Sequence, residues 1–208
     1  MSSSTLYRLS GLGLLIGSVF SITGTLVRTF QLNPLSVFYT PAELLTLFAA
    51  LLALLSLPGI YLRQANRAGV LGLIGFVLLY AAIVILGASS SLVSAVLIPF
   101  LAQHAPTLGQ PPAMFFVFII AVLASTVGQI LFGIATLRAH IFPRGAAILL
   151  LVGTAVNFAS GFVPIPSLGL VGEAAFLLSF AWLGLFLVTE RAAEVPTLQT
   201  DTKAEMRV

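Results

Sequence analysis

The stretch Gly59-Ile-Tyr-Leu-Arg63-Gln-Ala-Asn-Arg67-Ala-Gly-Val-Leu-Gly-Leu-Ile-Gly75 holds two arginines four residues apart, set between two long runs without charge. Upstream, 19 uncharged residues separate Glu43 from Arg63; downstream, 70 separate Arg67 from Arg138. A helix needs about 20 apolar residues to cross about 30 Å of hydrocarbon. The upstream run therefore has room for one span, and the downstream run for two with their connection. The arginine pair reads as a turn at a membrane surface.

The same reading extends outward. Nineteen uncharged residues lie between Arg8 and Arg28, 28 between Arg144 and Glu173, and 16 between Glu173 and Glu190. The spacing predicts an all-α polytopic membrane protein with six transmembrane helices near 9–27, 42–62, 68–88, 113–137, 145–164 and 170–189. Residues 1–189 read as one transmembrane domain. The segment 190–208 is polar, mixed in charge and contains Pro196, so a disordered tail is expected there.

Composition agrees. Of 208 residues 59% are hydrophobic and 7% charged, against roughly 25% charged in soluble domains. Mean hydropathy is +1.14. Nine Lys+Arg without a basic cluster offer nothing to neutralise phosphates, so nucleic acid is not an expected partner. With no cysteine, disulfides and thiolate ligands are excluded.

Six spans would put Arg8, Arg63, Arg67, Arg138, Arg144, Arg191, Lys203 and Arg207 on one side and Arg28 alone on the other. Basic residues concentrate in cytoplasmic loops, so both termini are expected in the cytoplasm of a multi-pass protein of the cell membrane. The first apolar run exceeds the 7–15 residues of a signal-peptide core and no A-x-A-like site follows it, so it reads as a retained helix.

Local signals refine the ends. Thr40-Pro41-Ala42-Glu43 looks like a capping box, with Thr40 as N-cap and Glu43 reaching back. Pro58-Gly59 is a kink signal in the second helix. Gln110-Pro111-Pro112 and Pro164-Ile165-Pro166 read as helix boundaries. Tyr7, Tyr39 and Tyr61 fall at predicted membrane–water boundaries. Leu92, Val93, Val96, Leu97, Phe100 and Leu101 recur at helical spacing behind Ser89-Ser90-Ser91, which read as caps. Two forms fit residues 89–102: a separate interfacial helix, or an outward continuation of helix three.

The odd-numbered helices begin alike, at Arg8, Arg67 and Arg144, each followed within a few residues by glycine. Three hairpins in one orientation would produce this, as would the general taste of cytoplasmic helix ends for arginine. The segments Tyr61–Gly75 and Leu131-Phe-Gly-Ile-Ala-Thr-Leu-Arg-Ala-His-Ile-Phe-Pro-Arg-Gly145 resemble small multi-pass membrane proteins of bacteria grouped as families of unknown function. The likeness covers about half the chain. It implies a bacterial membrane protein and carries no reaction or ligand with it.

Ionisable groups inside a membrane are costly and for that reason informative. Glu173 is drawn about one turn inside the boundary, because only 16 residues separate it from Glu190. It reads either as a ligand contact, with Arg28 and His104 as same-side partners, or as a first-turn carboxylate favoured by the helix dipole. Gln129 and Asn157 are the deepest polar residues; their heights differ by roughly 6 Å at 1.5 Å per residue. They read as a polar pathway or as interhelical glue. Gly13 and Gly17 form a GxxxG expected to pack within the bundle, and Tyr80 and Trp182 are expected in the core.

Enzyme chemistry finds no support in these residues. His104 and His140 fall on opposite sides of the bilayer, so no shared metal or haem is expected. No cofactor signature is present, and Ser89 to Ser91 lack a neighbouring base other than His104. Two functions follow as expectations: a non-catalytic bundle binding membrane lipid, a small apolar ligand or a membrane partner, or a small-solute transporter or channel.

Overall fold

The structure, a computed structural model, describes residues 3–30, 33–105, 112–163 and 165–189. The tail at 190–208, with Gln110, Pro111 and Pro164, lies outside the described residues. The described chain is all-α, without a strand.

Helix α1 spans Ser3–Phe30. Residues 33–38 form a turn, in which Leu35 N–H donates to Asn33 Oδ1 at 3.0 Å and Tyr39 N–H to the Ser36 carbonyl at 3.0 Å. The next helical run, Tyr39–Ala82, contains one residue off the helical path, Gly69 at φ 58°, ψ −161°. There the chain doubles back. Tyr61 stacks on Phe76 with centroids 4.7 Å apart, Gly87 lies against Ala50, and the Thr40 hydroxyl donates to the Ala95 carbonyl at 3.3 Å. These pairs step outward evenly from residue 69, as antiparallel arms require. We therefore treat 39–68 as α2 and 70–104 as α3. The backbone of Gly69 falls in a region open essentially to glycine alone.

The expected loop at 63–67 is helical instead, because nothing before Gly69 interrupts the ladder. Pro58 is accommodated without a break: Gly59 beside it lies against Ser10 of α1. The 89–102 segment is the outward continuation of α3. Ser89 makes no side-chain cap, and the helix runs through two π stretches, Ile83–Ser89 and Val93–Leu97, before closing with Ile98–His104.

Helix α4 spans Pro112–Ala139, α5 Arg144–Ser160 and α6 Pro166–Thr189. The turn between α4 and α5 places His140 at φ 53°. Among the described residues four stretches are long and apolar enough to cross a membrane, Thr5–Phe30, Tyr39–His104, Ala113–Ala139 and Ser167–Thr189; Arg144–Ser160 is shorter, at 17 residues. Since Tyr39–His104 folds at Gly69, five helices have spanning length. This is the build of an integral membrane protein. Large apolar side chains such as Phe116, Leu55 and Val70 stand on its outside, as a lipid solvent permits.

Packing runs around a closed ring. Gly13 and Gly17 of α1 meet Ser56 and Ala49 of α2, and Gly75 and Gly128 join α3 to α4. Gly133 admits Leu151 of α5, Gly153 and Gly172 join α5 to α6, and Gly11 faces Gly184 to return α6 to α1. A Cβ on Gly75 would lie 2.5 Å from Phe132 N and one on Gly153 2.6 Å from Phe176 N, so the backbones nearly touch. Lipid tails are as apolar as leucine, and close approach of this kind replaces the missing hydrophobic drive. Every neighbour is antiparallel.

Large side chains fill one half of the ring. Leu57, Ile60, Leu79, Phe132, Leu150, Leu183 and Leu187 form a core toward the Gly69 end. Tyr80 rests on Phe76 with centroids 5.7 Å apart. Trp182 departs from expectation: it is 45% exposed and covers Gly145.

Candidate functional site

Toward the opposite end, the Arg28 end, the facing side chains shrink. Gly17, Ser18 and Ser21 of α1, Ala49, Ala50 and Ala53 of α2, and Ala82, Gly87, Ser90 and Ser91 of α3 turn inward. They leave a cavity of about 480 Å³ on the ring axis, lined by all six helices. On α3 the lining residues come in pairs at 82/83, 86/87 and 90/91. A repeat of four exceeds the 3.6 of an α-helix, and the i→i+5 turns beginning at Ile83 supply the difference.

Four of the five residues singled out from sequence line this cavity: Arg28, Gln129, Asn157 and Glu173. His104 does not. It sits at the exposed tip of α3, stacked on Phe100 at 4.4 Å with Nδ1 3.0 Å from the Phe100 carbonyl.

Glu173 lies two turns into α6, whose first turn holds no acid, so the helix dipole does not account for its position. Its Oε1 accepts a hydrogen bond from Thr25 Oγ1 at 2.9 Å. Arg28 reaches Glu43 instead: Nη1 and Oε1 are 4.0 Å apart, with the Glu43 side chain 3% exposed and that of Arg28 44%. Glu43 was expected to close a capping box. The helix begins two residues earlier, after Phe38 and without a side-chain cap, because the 33–38 turn already takes up the Tyr39 N–H. Glu43 is then carried inward, the only other acid at this end among the described residues.

Gln129 and Asn157 do not pair with each other. Gln129 Oε1 lies 2.8 Å from Thr154 Oγ1, and its Nε2 donates to Ser125 Oγ at 2.8 Å. The single Thr154 hydroxyl proton is shared with the Leu150 carbonyl, also at 2.8 Å. Asn157 packs its backbone on Gly172 of α6 and faces the cavity. Beyond the Gln129–Thr154 link, α4 and α5 stop burying one another. Residues 113–120 are exposed at every position, as are Asn157, Phe158 and Ala159.

The cavity wall is two-natured. Glu173, Phe176, Leu177 and Phe180 share one face of α6 at i, i+3, i+4 and i+7. Phe176 and Phe180 meet edge to face at 4.9 Å. Opposite them stand the serines and alanines of α1, α2 and α3. No group of His, Asp and Glu suited to a metal occurs among the described residues. Ser90 donates to the Leu86 carbonyl of its own helix.

Sequence reasoning missed the small-residue faces, which are visible as Gly17/Ser18/Ser21 and Ala49/Ala50/Ala53 once placed on helices. It also missed Gln64, fully buried with neither amide atom hydrogen-bonded among the described residues. Comparison of the chain with protein-family models, with curated proteins and with solved structures returned no match.

Proposed function

We propose that this protein is a six-span bundle with both termini in the cytoplasm, whose outer half forms a binding chamber for a small amphiphilic, lipid-like molecule. The observation that carries the reading is the cavity itself. Its volume lies within the roughly 300–1,000 Å³ usual for ligand sites, and its wall joins an apolar aromatic face to a polar end. The exposed run 113–120 beside Asn157 supports entry from the bilayer between α4 and α5. The role is binding, not catalysis, and Glu173, Arg28, Gln129 and Asn157 are the contacts we assign to it. The gathering of Arg8, Arg63, Arg67, Arg138 and Arg144 toward the Gly69 end supports the orientation.

The chain has no cysteine, so single cysteines report cleanly. With Ser91→Cys carrying a polarity-sensitive fluorophore, octanol should shift its emission while the lipid-facing Leu55→Cys stays unchanged. Equal response at both positions would sink the chamber. For the orientation, Ser36→Cys should react with an impermeant maleimide from outside and Asn66→Cys should not; the reverse order refutes it.

One observation favours a second reading, transport of a small solute. The π stretch Ile83–Ser89 of α3 lines the cavity through Ile83, Leu86 and Gly87, and π turns inside α-helices are frequent at functional sites. Ready reaction of Asn157→Cys with a small water-soluble thiol reagent selects that reading.

A further inference from the structure

We propose that the chamber selects a cationic head group, an organic ammonium, with Glu173 as its counter-charge and the α6 aromatic face holding its apolar body. The inference rests on the chamber reading above and adds the class of ligand.

Charge is the first ground. Three carboxylate or guanidinium side chains stand toward this end among the described residues, Arg28 and Glu173 on the cavity wall and Glu43 beside Arg28. Arg28 and Glu43 are 4.0 Å apart and offset each other. Glu173 is left without a cation within 4.0 Å among the described residues, and its hydrogen-bond partner Thr25 is neutral. A carboxylate held in a membrane interior without an opposite charge is costly, and groups of this kind mark ligand or ion positions. The site as built lacks one positive charge.

Geometry is the second. One turn along α6 from Glu173 come Phe176 and Leu177, and a further turn gives Phe180, all on the cavity wall, with Phe118 of α4 also lining it. Aromatic faces attract an ammonium electrostatically and bury its alkyl part. An ammonium at Glu173 therefore places its chain along the ring face toward the core, where Phe180 belongs to both. An anionic head would have to displace Glu43 from Arg28 and leave that acid, 3% exposed, without a partner.

Two sources carry such an ammonium, a free hydrophobic amine and the amine head of a membrane lipid, and the test separates them. The full chain is purified in a maltoside detergent, and its thermal midpoint is followed against octylammonium, octanol and octanoate. Octylammonium should act at concentrations about tenfold below the other two, and Glu173→Gln should erase that preference. Octanol or octanoate matching octylammonium in the wild-type chain would leave the chamber standing and overturn the cation assignment. No shift with any of the three overturns both. A folded Glu173→Gln that keeps the preference overturns the assignment alone, and if that variant does not fold, the order of the three probes on the wild-type chain decides. Adding phosphatidylethanolamine, with phosphatidylglycerol as control, then identifies the source. Competition with octylammonium by the former assigns a lipid amine, and its absence a free one.

Discussion

Thr25 Oγ1 donates to Glu173 Oε1 at 2.9 Å across 148 positions of sequence, tying the first helix of the ring to the last. Hydrogen bonds to charged groups contribute about 1.5–3 kcal/mol. Thr25→Val should therefore lower stability by about that amount, read as a lower thermal midpoint in detergent. An unchanged midpoint would mean that the carboxylate finds another donor.

Arg28 and Glu43 differ sharply in burial, and removing either should not have equal effects. Arg28→Gln strands a buried carboxylate and should destabilise by more than Glu43→Gln, which leaves a half-exposed guanidinium able to reach water. The loss should stay below the roughly 3–5 kcal/mol of a fully buried pair. The double variant should recover part of it, and a double-variant cycle in chemical denaturation measures how much.

Gln129 and Thr154 join α4 to α5 where the two helices still bury one another. Interhelical hydrogen bonds in membranes average about 0.6 kcal/mol with a maximum near 1.7. Thr154→Val should fall in that range. A cavity-facing cysteine at Asn157 should also become more reactive in that variant if the link holds the two helices together.

Gln64 points the other way. With both amide atoms buried and unpartnered among the described residues, it holds a desolvation penalty of about 1–3 kcal/mol. Gln64→Met, of similar length, should raise the thermal midpoint. A fall would mean that the amide has a partner such as bound water.

Gly69 turns the longest helical run back on itself at a backbone conformation costing other residues about 1–3 kcal/mol. A Cβ there would meet nothing within 4 Å, so crowding is not an issue. Gly69→Ala should destabilise through backbone strain alone, and Gly69→Val should cost more, because a branched Cβ meets its own backbone at positive φ.

Much of this architecture was legible because charge is scarce. Of Arg8, Arg28, Arg63, Arg67, Arg138 and Arg144, five lie within five residues of an observed turn or helix end. Gly69 was not recognised as the turn, since glycine is common in membrane helices and one positive φ leaves no pattern. Glu43 was misread because the T-P-A-E spelling of a cap is local, while the 33–38 turn that replaces it depends on Asn33 and Ser36. Glu173, Gln129, Asn157 and Arg28 were found as individually costly residues. Their shared cavity was not, because a void is made by what faces it, and small residues on three helices carry no signal until those helices are placed together.

The ring closure at Gly11 and Gly184 brings Ser3 and Thr189 to one end of the bundle, beside the α4–α5 turn. Chain order is then only one way of cutting a circle. A circular permutant opened at residues 140–143, with a short linker joining the old ends, keeps every antiparallel neighbour and the cavity they enclose. Such a chain would begin with α5 and still present Glu173 to Thr25, now on helices consecutive in sequence.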